Sequence, residues 1–511
     1  MIKNPKENPK LSKMMQHYFS VKERYPDCII FYRLGDFYEM FFDDAIEASR
    51  VLELTLTGRD CGLEERAPMC GVPFHAADAY IARLVADGYK VAVCEQLTEP
   101  DGKNPVERDV IKVVTSGTVT DNELIDEKKN NFICSVFGSG EKFGVAWADI
   151  TTGDFIVNEA EGTDALCDLL ARVDPAETVV NEKAFEKIRN LPLFIHGAIR
   201  KPASYREYAF AESGATKNVL SQFKVANLSA LELETKKLAL RAAGALLEYL
   251  SETQMRALSV ISSLTVERER DRLILDAGCM RNLEIMRNNR DGGRYGSLLY
   301  VLDLTCTAMG ARKMASVLSS PLRDKDKINY RLDGVEELYK NLPVTGAVRD
   351  VLKSMRDVER IVGKLSNDVI TPRDMEALRF SLELIPEIKF RLSGLESAAI
   401  ANVNARLRDV SDVTALLARA IKDNPPASAK DGGFIRKGFD EELDRLTGIH
   451  EDGRKFIADI ESRERERTGI KNLRVGYNKV FGYYIEVTNS FKDKVPYDYV
   501  RKQTLTGAER Y

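Results

Sequence analysis

From about residue 265 to 470 the apolar residues recur at helical spacing, while the stretch before this block mixes strand-like alternation with helical runs and the stretch after it alternates like strands. A chain with that ordering cannot close around one core. Its 511 residues, at roughly 100 to 200 per domain, suggest three or four domains. With 44% hydrophobic and 30% charged residues, each can bury a sizeable interior. Neither an internal repeat nor a low-complexity tract interrupts the pattern.

Four segments follow, at 1–120, 130–262, 265–445 and 446–511. The first is a small α/β unit after a lysine- and proline-rich start; it includes the strand "CIIFYRL" and a helix over "HAADAYIARLVADGYK" stopped by Gly88. Residues 121–130 read as a linker. The second segment is again α/β, with two strands around the turn Thr152-Gly153. It closes on a helix whose start is marked by Ser229 and Glu232 at capping-box spacing, with Leu231, Leu238, Ala242, Leu246 and Tyr249 as its stripe. The third is all-α. In the fourth, Ile449, Phe456 and Ile460 give a long helix only a thin apolar seam, as in a strut. Beyond residue 471, "NLRVGYNKVFGYYIEV" reads as a small β element with turn candidates at Asn478-Lys479 and Gly482.

The net charge of −4 gives no global attraction to a polyanion, so any such site is a local patch. Residues 1–36 and 472–511 each hold seven basic against four acidic side chains. Eight scattered cysteines without a CxxC pair, and no signal peptide, point to a reducing cytosol. Cys61, Cys70 and His75 lie close in sequence, but their spacing suits buried thiols better than zinc. No apolar run approaches the roughly 20 residues of a membrane span. Nor is there a GxxxxGK[ST], HExxH or GxSxG motif; "VGKLSN" at 362–367 lacks both the upstream glycine and the hydroxyl. The chain thus offers no catalytic residue, cofactor site or metal site, which favours a binding protein.

The stretch "FYRLGDFYEMFFDD" (31–44) carries the sharpest signal. Strand alternation puts Phe37 and Glu39 on one face and Tyr38 and Met40 on the other. The plain reading is a core aromatic beside a solvated acid. The sharper one is a ring and a carboxylate presented together to a ligand with flat faces and polar edges.

"FYRLGDFYEMFFDDA", "PMCGVPFHAADAYIARLVADGYKVAVCEQL", "RDVIKVVTSGT", "RNLEI", "DVERI", "PPASAKDGGFIRKGFDEELD" and "RERERTGIKNLRVGYNKVFGYYIEV" together resemble the bacterial MutS family of DNA mismatch repair proteins, in the family's order and over essentially the whole chain. The resemblance implies a small α/β mismatch-binding domain, an α/β (RNase H-like) connector, a helical core with long lever helices and a partial β clamp. It implies that Phe37 and Glu39 meet a mispaired or looped-out base in duplex DNA. Arg59, Pro68, Met69 and His75 would lie near the DNA, and Lys492, Lys494, Arg501 and Lys502 in the clamp are candidates for phosphate contacts. The family continues into an ATPase domain, so ATP and Mg are expected of a full-length protein and not of these residues. A homodimer, a MutL-type partner on the connector and a cytoplasmic, nucleoid-associated location are further implications. Two rival readings are a glycosylase-like enzyme using Glu39 as general acid, and a MutS-like scaffold without repair function. The β element is expected to be half built, with open edges.

Overall fold

A computed structural model describes residues 11–98, 106–119, 125–195, 197–254, 258–268, 272–478 and 482–511. The lysine-rich start before residue 11, part of the 121–130 linker, Lys479 and the side chain of Ile449 lie outside the described residues. The chain divides into two compact units, one running to Thr414 and one from Ala415 to Tyr511. Among the described residues no helix is long and apolar enough to cross a membrane.

The first sheet has strands β1 (Cys28–Leu34), β2 (Phe37–Phe41), β3 (Thr57–Arg59), β4 (Ala67–Pro73), β5 (Lys90–Gln96) and β6 (Arg108–Val114), in the order β3-β4-β2-β1-β5-β6. Helix α1 (Lys13–Arg24) covers one face through Met15, Tyr18 and Val21. Helices α2 (Phe42–Leu52) and α3 (Ala77–Ala86) cover the other through Ala45, Ala48, Leu52, Ile81 and Leu84. β1 is therefore apolar on both sides, which explains its unbroken run "CIIFY". Asp44 ties the layers together. Its buried carboxylate accepts from the Tyr18 hydroxyl at 2.7 Å, Lys22 Nζ at 2.7 Å and the Ile30 N–H at 3.0 Å.

The second sheet runs β11-β10-β7-β8-β9-β12, from β7 (Ile133–Ser139), β8 (Lys142–Asp149), β9 (Asp154–Glu161), β10 (Glu177–Asn181), β11 (Ala203–Tyr205) and β12 (Thr265–Val266). β8 is antiparallel to both neighbours, and β10 and β11 join in parallel, as an RNase H-like connector requires. The helix packed on this sheet starts later than its sequence suggests. Leu228–Leu231 is a single 3-10 turn capped by Asn227, Glu232 takes a left-handed φ of +58°, and the helix proper is Lys237–Gln254. Burial of Leu233 pulls the chain out of helical register, and Glu232 pairs with Arg268 at 2.7 Å instead of capping. Ala242, Leu246 and Tyr249 are buried as the stripe requires.

The helical block packs more thinly, around Ile388, Leu392, Leu395 and Ile400. It is joined to the second sheet through arginine. The buried Arg312 guanidinium holds Asp357 at 2.6 and 2.8 Å and Glu359 at 2.6 Å, and donates to the Glu127 carbonyl at 2.8 Å. Arg360, 1% exposed, donates to the carbonyls of Asp126 at 3.3 Å and Lys129 at 2.6 Å.

In the second unit the helix Glu441–Thr468 has 28 residues, about 42 Å at 1.5 Å per residue. Phe456 is exposed on it, so the seam read there contributes little burial. The following β element is a small sheet whose two outer strands each have a single neighbour among the described residues. β13 (Arg474–Asn478), β14 (Gly482–Thr488), β15 (Gln503–Thr504) and β16 (Ala508–Arg510) form an antiparallel sheet, ordered β13-β14-β16-β15, over a core of Ile470, Leu473 and Val487. The helix end holds it: Glu461 accepts from the Val475 N–H at 2.9 Å and Glu464 from the Tyr499 hydroxyl at 2.7 Å.

Candidate nucleic-acid interface

β1 and β2 are joined by the two residues Gly35 and Asp36, and Leu34 pairs with Phe37 across the turn. Such a tight turn needs a positive φ at its first position, and Gly35 supplies +58°. Once the turn is set, alternation fixes the rest of β2. Tyr38 and Met40 are buried on the α2–α3 side. Phe37, Glu39 and Phe41 share the α1 side, and α1 covers only the Phe41 end, where Tyr18 meets Phe41 edge to face at 5.2 Å. Phe37, at the uncovered end, is 47% exposed. Glu39 sits between the two, and its side chain is 14% exposed.

Glu39 does not point at solvent alone. Its Oε2 accepts a hydrogen bond from Arg59 Nη1, on the edge strand β3. The Arg59 side chain is 37% exposed, so one flank of the pair is open. Across β1, Glu39 faces Tyr32, whose buried phenol is pushed up to about 12 and meets His17 Nδ1 at 2.9 Å. Burial lowers the His17 imidazole below its ordinary value, with Arg24 adding to the effect. On the other side Glu39 faces Gly71 of β4.

Behind Phe37 the wall is rigid. The Phe74 N–H donates to the Asp36 carbonyl at 2.9 Å, which ties the turn to the chain leaving β4. The Arg33 guanidinium lies 3.8 Å from the Phe74 ring centroid and 3.6 Å from Glu95. Burial, then the hydrogen bond to Glu95, raises the Tyr38 phenol well above its usual range. The sequence did not single out Arg33 or Phe74. The available signal was Pro73, which pairs with Phe37 and so brings the next ring to the same rim.

The remaining candidates separate. "PMCGVP" lies within strand β4: Pro68 and Met69 are half-buried ladder residues opposite Gly58 and Thr57, and Met69 packs against the α1-side core. His75 is exposed beside Phe74, with ring centroids 5.8 Å apart. Cys61 and Cys70 are buried, and burial pushes the Cys70 thiol up to about 11.

In the second unit, Lys492 and Arg501 converge on the buried Glu509, at 2.6 and 3.4 Å. The Lys492 hydrogen bond, with Tyr511 adding to it, pulls the Glu509 carboxyl down to about 2. These two cations therefore have a partner inside their own sheet. Lys494 and Lys502 are exposed. Aromatic residues that sequence reading passed over stand out in the same sheet: Tyr477 and Tyr483 face each other across β13 and β14, both exposed, with centroids 5.1 Å apart.

Comparison with known proteins adds the family. Residues 12–123 match the description MutS domain I, residues 131–262 MutS domain II and residues 279–492 MutS domain III. The DNA mismatch repair protein MutS of Acetivibrio thermocellus is 45% identical over 512 residues, covering 98% of this chain and 58% of the relative. That of Ruminiclostridium cellulolyticum is 46% identical over 503 residues, covering 98% and 57%. For Lachnoclostridium phytofermentans the figures are 42% over 505 residues, 98% and 54%. The chain thus spans little more than half the length of the curated relatives it matches.

Proposed function

Since the chain belongs to the MutS family of DNA mismatch repair proteins, we propose that it carries the part that finds mispaired or looped-out bases in duplex DNA. The observation behind this reading is Phe37: a large ring, half exposed, at the uncovered end of a face that is otherwise buried. Inserted beside a base, such a ring stacks on it, and a stacking contact of this kind is worth about 1 to 3 kcal/mol to any base. The wedge unstacks one step and kinks the duplex. A mispaired step has already lost part of its pairing and stacking and deforms more cheaply than a matched one, so preference arises without sequence readout. Glu39, two residues along the same face, addresses the polar edge of the displaced base. Exposed lysines such as Lys494 and Lys502 supply contacts to phosphate that position the duplex.

In the longer proteins of the family this recognition would start repair, coupled to ATP and Mg in the sequence beyond this match, in a homodimer that passes the signal to a MutL-type partner through the connector. The glycosylase-like alternative needs a second acid–base group poised beside Glu39; its hydrogen-bond partner Arg59 is not one, and the neighbouring Tyr32 phenol and His17 imidazole are engaged with each other.

Competition binding tests the proposal. Phe37→Ala is expected to remove the preference for a duplex with one mispair or one unpaired base, leaving weak binding to matched DNA intact, because phosphate contacts are untouched. Equal preference in variant and parent would refute it.

A further inference from the structure

Building on the mismatch reading, we infer that Arg59 is a positioning residue that sets how strongly the site discriminates, through its hold on Glu39 rather than through DNA alone. Three observations converge on it. Arg59 Nη1 donates to Oε2 of Glu39, and no other hydrogen bond to that carboxylate occurs among the described residues. The carboxylate is mostly shielded, so its direction is set by the groups around it. Its strand neighbours, Tyr32 on one side and Gly71 on the other, are fixed by ladder register. Arg59 itself comes from the edge strand β3, two strands away, and its guanidinium is more open than the acid it holds.

One oxygen of Glu39 is thereby anchored, and the other remains to address a base edge beside Phe37. An arginine has five donors in a planar fork, so Arg59 can keep Glu39 with one arm while the rest of the fork faces solvent or phosphate. A carboxylate without that anchor keeps its charge near the duplex but loses its direction. It then opposes matched and mispaired DNA more nearly alike.

The experiment is a double-mutant cycle on the full 511-residue chain, with a duplex carrying one unpaired base and its matched counterpart, each titrated at several salt concentrations. Arg59→Ala is expected to lower the preference for the unpaired base on the order of tenfold. Arg59→Lys is expected to restore part of it, since an ammonium can still reach the carboxylate at a single point. In a Glu39→Gln background, Arg59→Ala is expected to weaken both duplexes equally. A plain phosphate contact behaves differently: it lowers both affinities by the same factor in either background and reduces the salt slope by about one. That outcome would overturn the inference and leave the mismatch reading standing. Absence of any preference in the parent chain would instead overturn the mismatch reading and this inference with it. Thermal unfolding of each variant identifies a misfolded one, and the lysine variant, which keeps the charge and most of the stem, then carries the test.

Discussion

Among single residues, Asp44 shows how a buried charge can hold a small domain together. Its carboxylate joins α1, β1 and α2 through Tyr18, Lys22 and the Ile30 N–H. Removing one partner of such a set strands the others, which costs more than any one hydrogen bond contributes. Asp44→Ala is expected to destabilise the first domain by about 3 kcal/mol, read as an earlier thermal transition, while Asp43→Ala on the exposed side of the same turn changes little. The sequence showed only "DDA", a pair suited to any helix start. It could not show which acid faces inward, since that depends on strands brought from elsewhere. Phe37 and Glu39 were legible because alternation is local. Arg59 as the partner of Glu39 was not, because the two meet only when β4 separates β3 from β2.

At the scale of elements, the four-stranded sheet of the second unit is pinned by a pH-sensitive contact. Glu509 titrates near 2 in the folded sheet, against about 4.3 in an unfolded chain. A lowered folded-state value means that the contribution is complete above about 4.3 and disappears as the pH falls through 2. Tyrosine circular dichroism is therefore expected to report loosening of this sheet between those values, and Glu509→Gln to abolish the pH dependence in that window. Reading the sequence as a basic patch counted Glu509 among its acids, but it could not show that Lys492 and Arg501 both turn to that carboxylate, because the three meet only when the sheet forms. The start of the long helix in the second domain failed for a related reason. Ser229 and Glu232 have the right spacing, and burial of Leu233 overrides it.

For the molecule as a whole, the order of the blocks was legible, since period changes mark it directly, whereas the joints between them were not. The joint between the second sheet and the helical block is close at Gly363, where a Cβ would stand 2.2 Å from the Thr151 carbonyl oxygen. Gly363→Ala is expected to force the helix Val358–Ser366 off that loop, costing about 1 to 3 kcal/mol. Faster proteolysis near residues 125–131, with the first sheet unaffected, would locate the damage at the joint. The two arginines there have a different consequence. Arg312 and Arg360 grip the turn that leads into β7 by the carbonyls of Asp126, Glu127 and Lys129. A grip on backbone oxygen is indifferent to the side chain each residue carries. Neutral replacements at Glu127 and Lys129 are accordingly expected to leave the attachment in place, whereas a cation at Glu127 would face two buried guanidinium groups, and Asp126 is also held through its own carboxylate, which accepts from the Lys128 N–H at 2.9 Å; replacing either arginine has no such latitude.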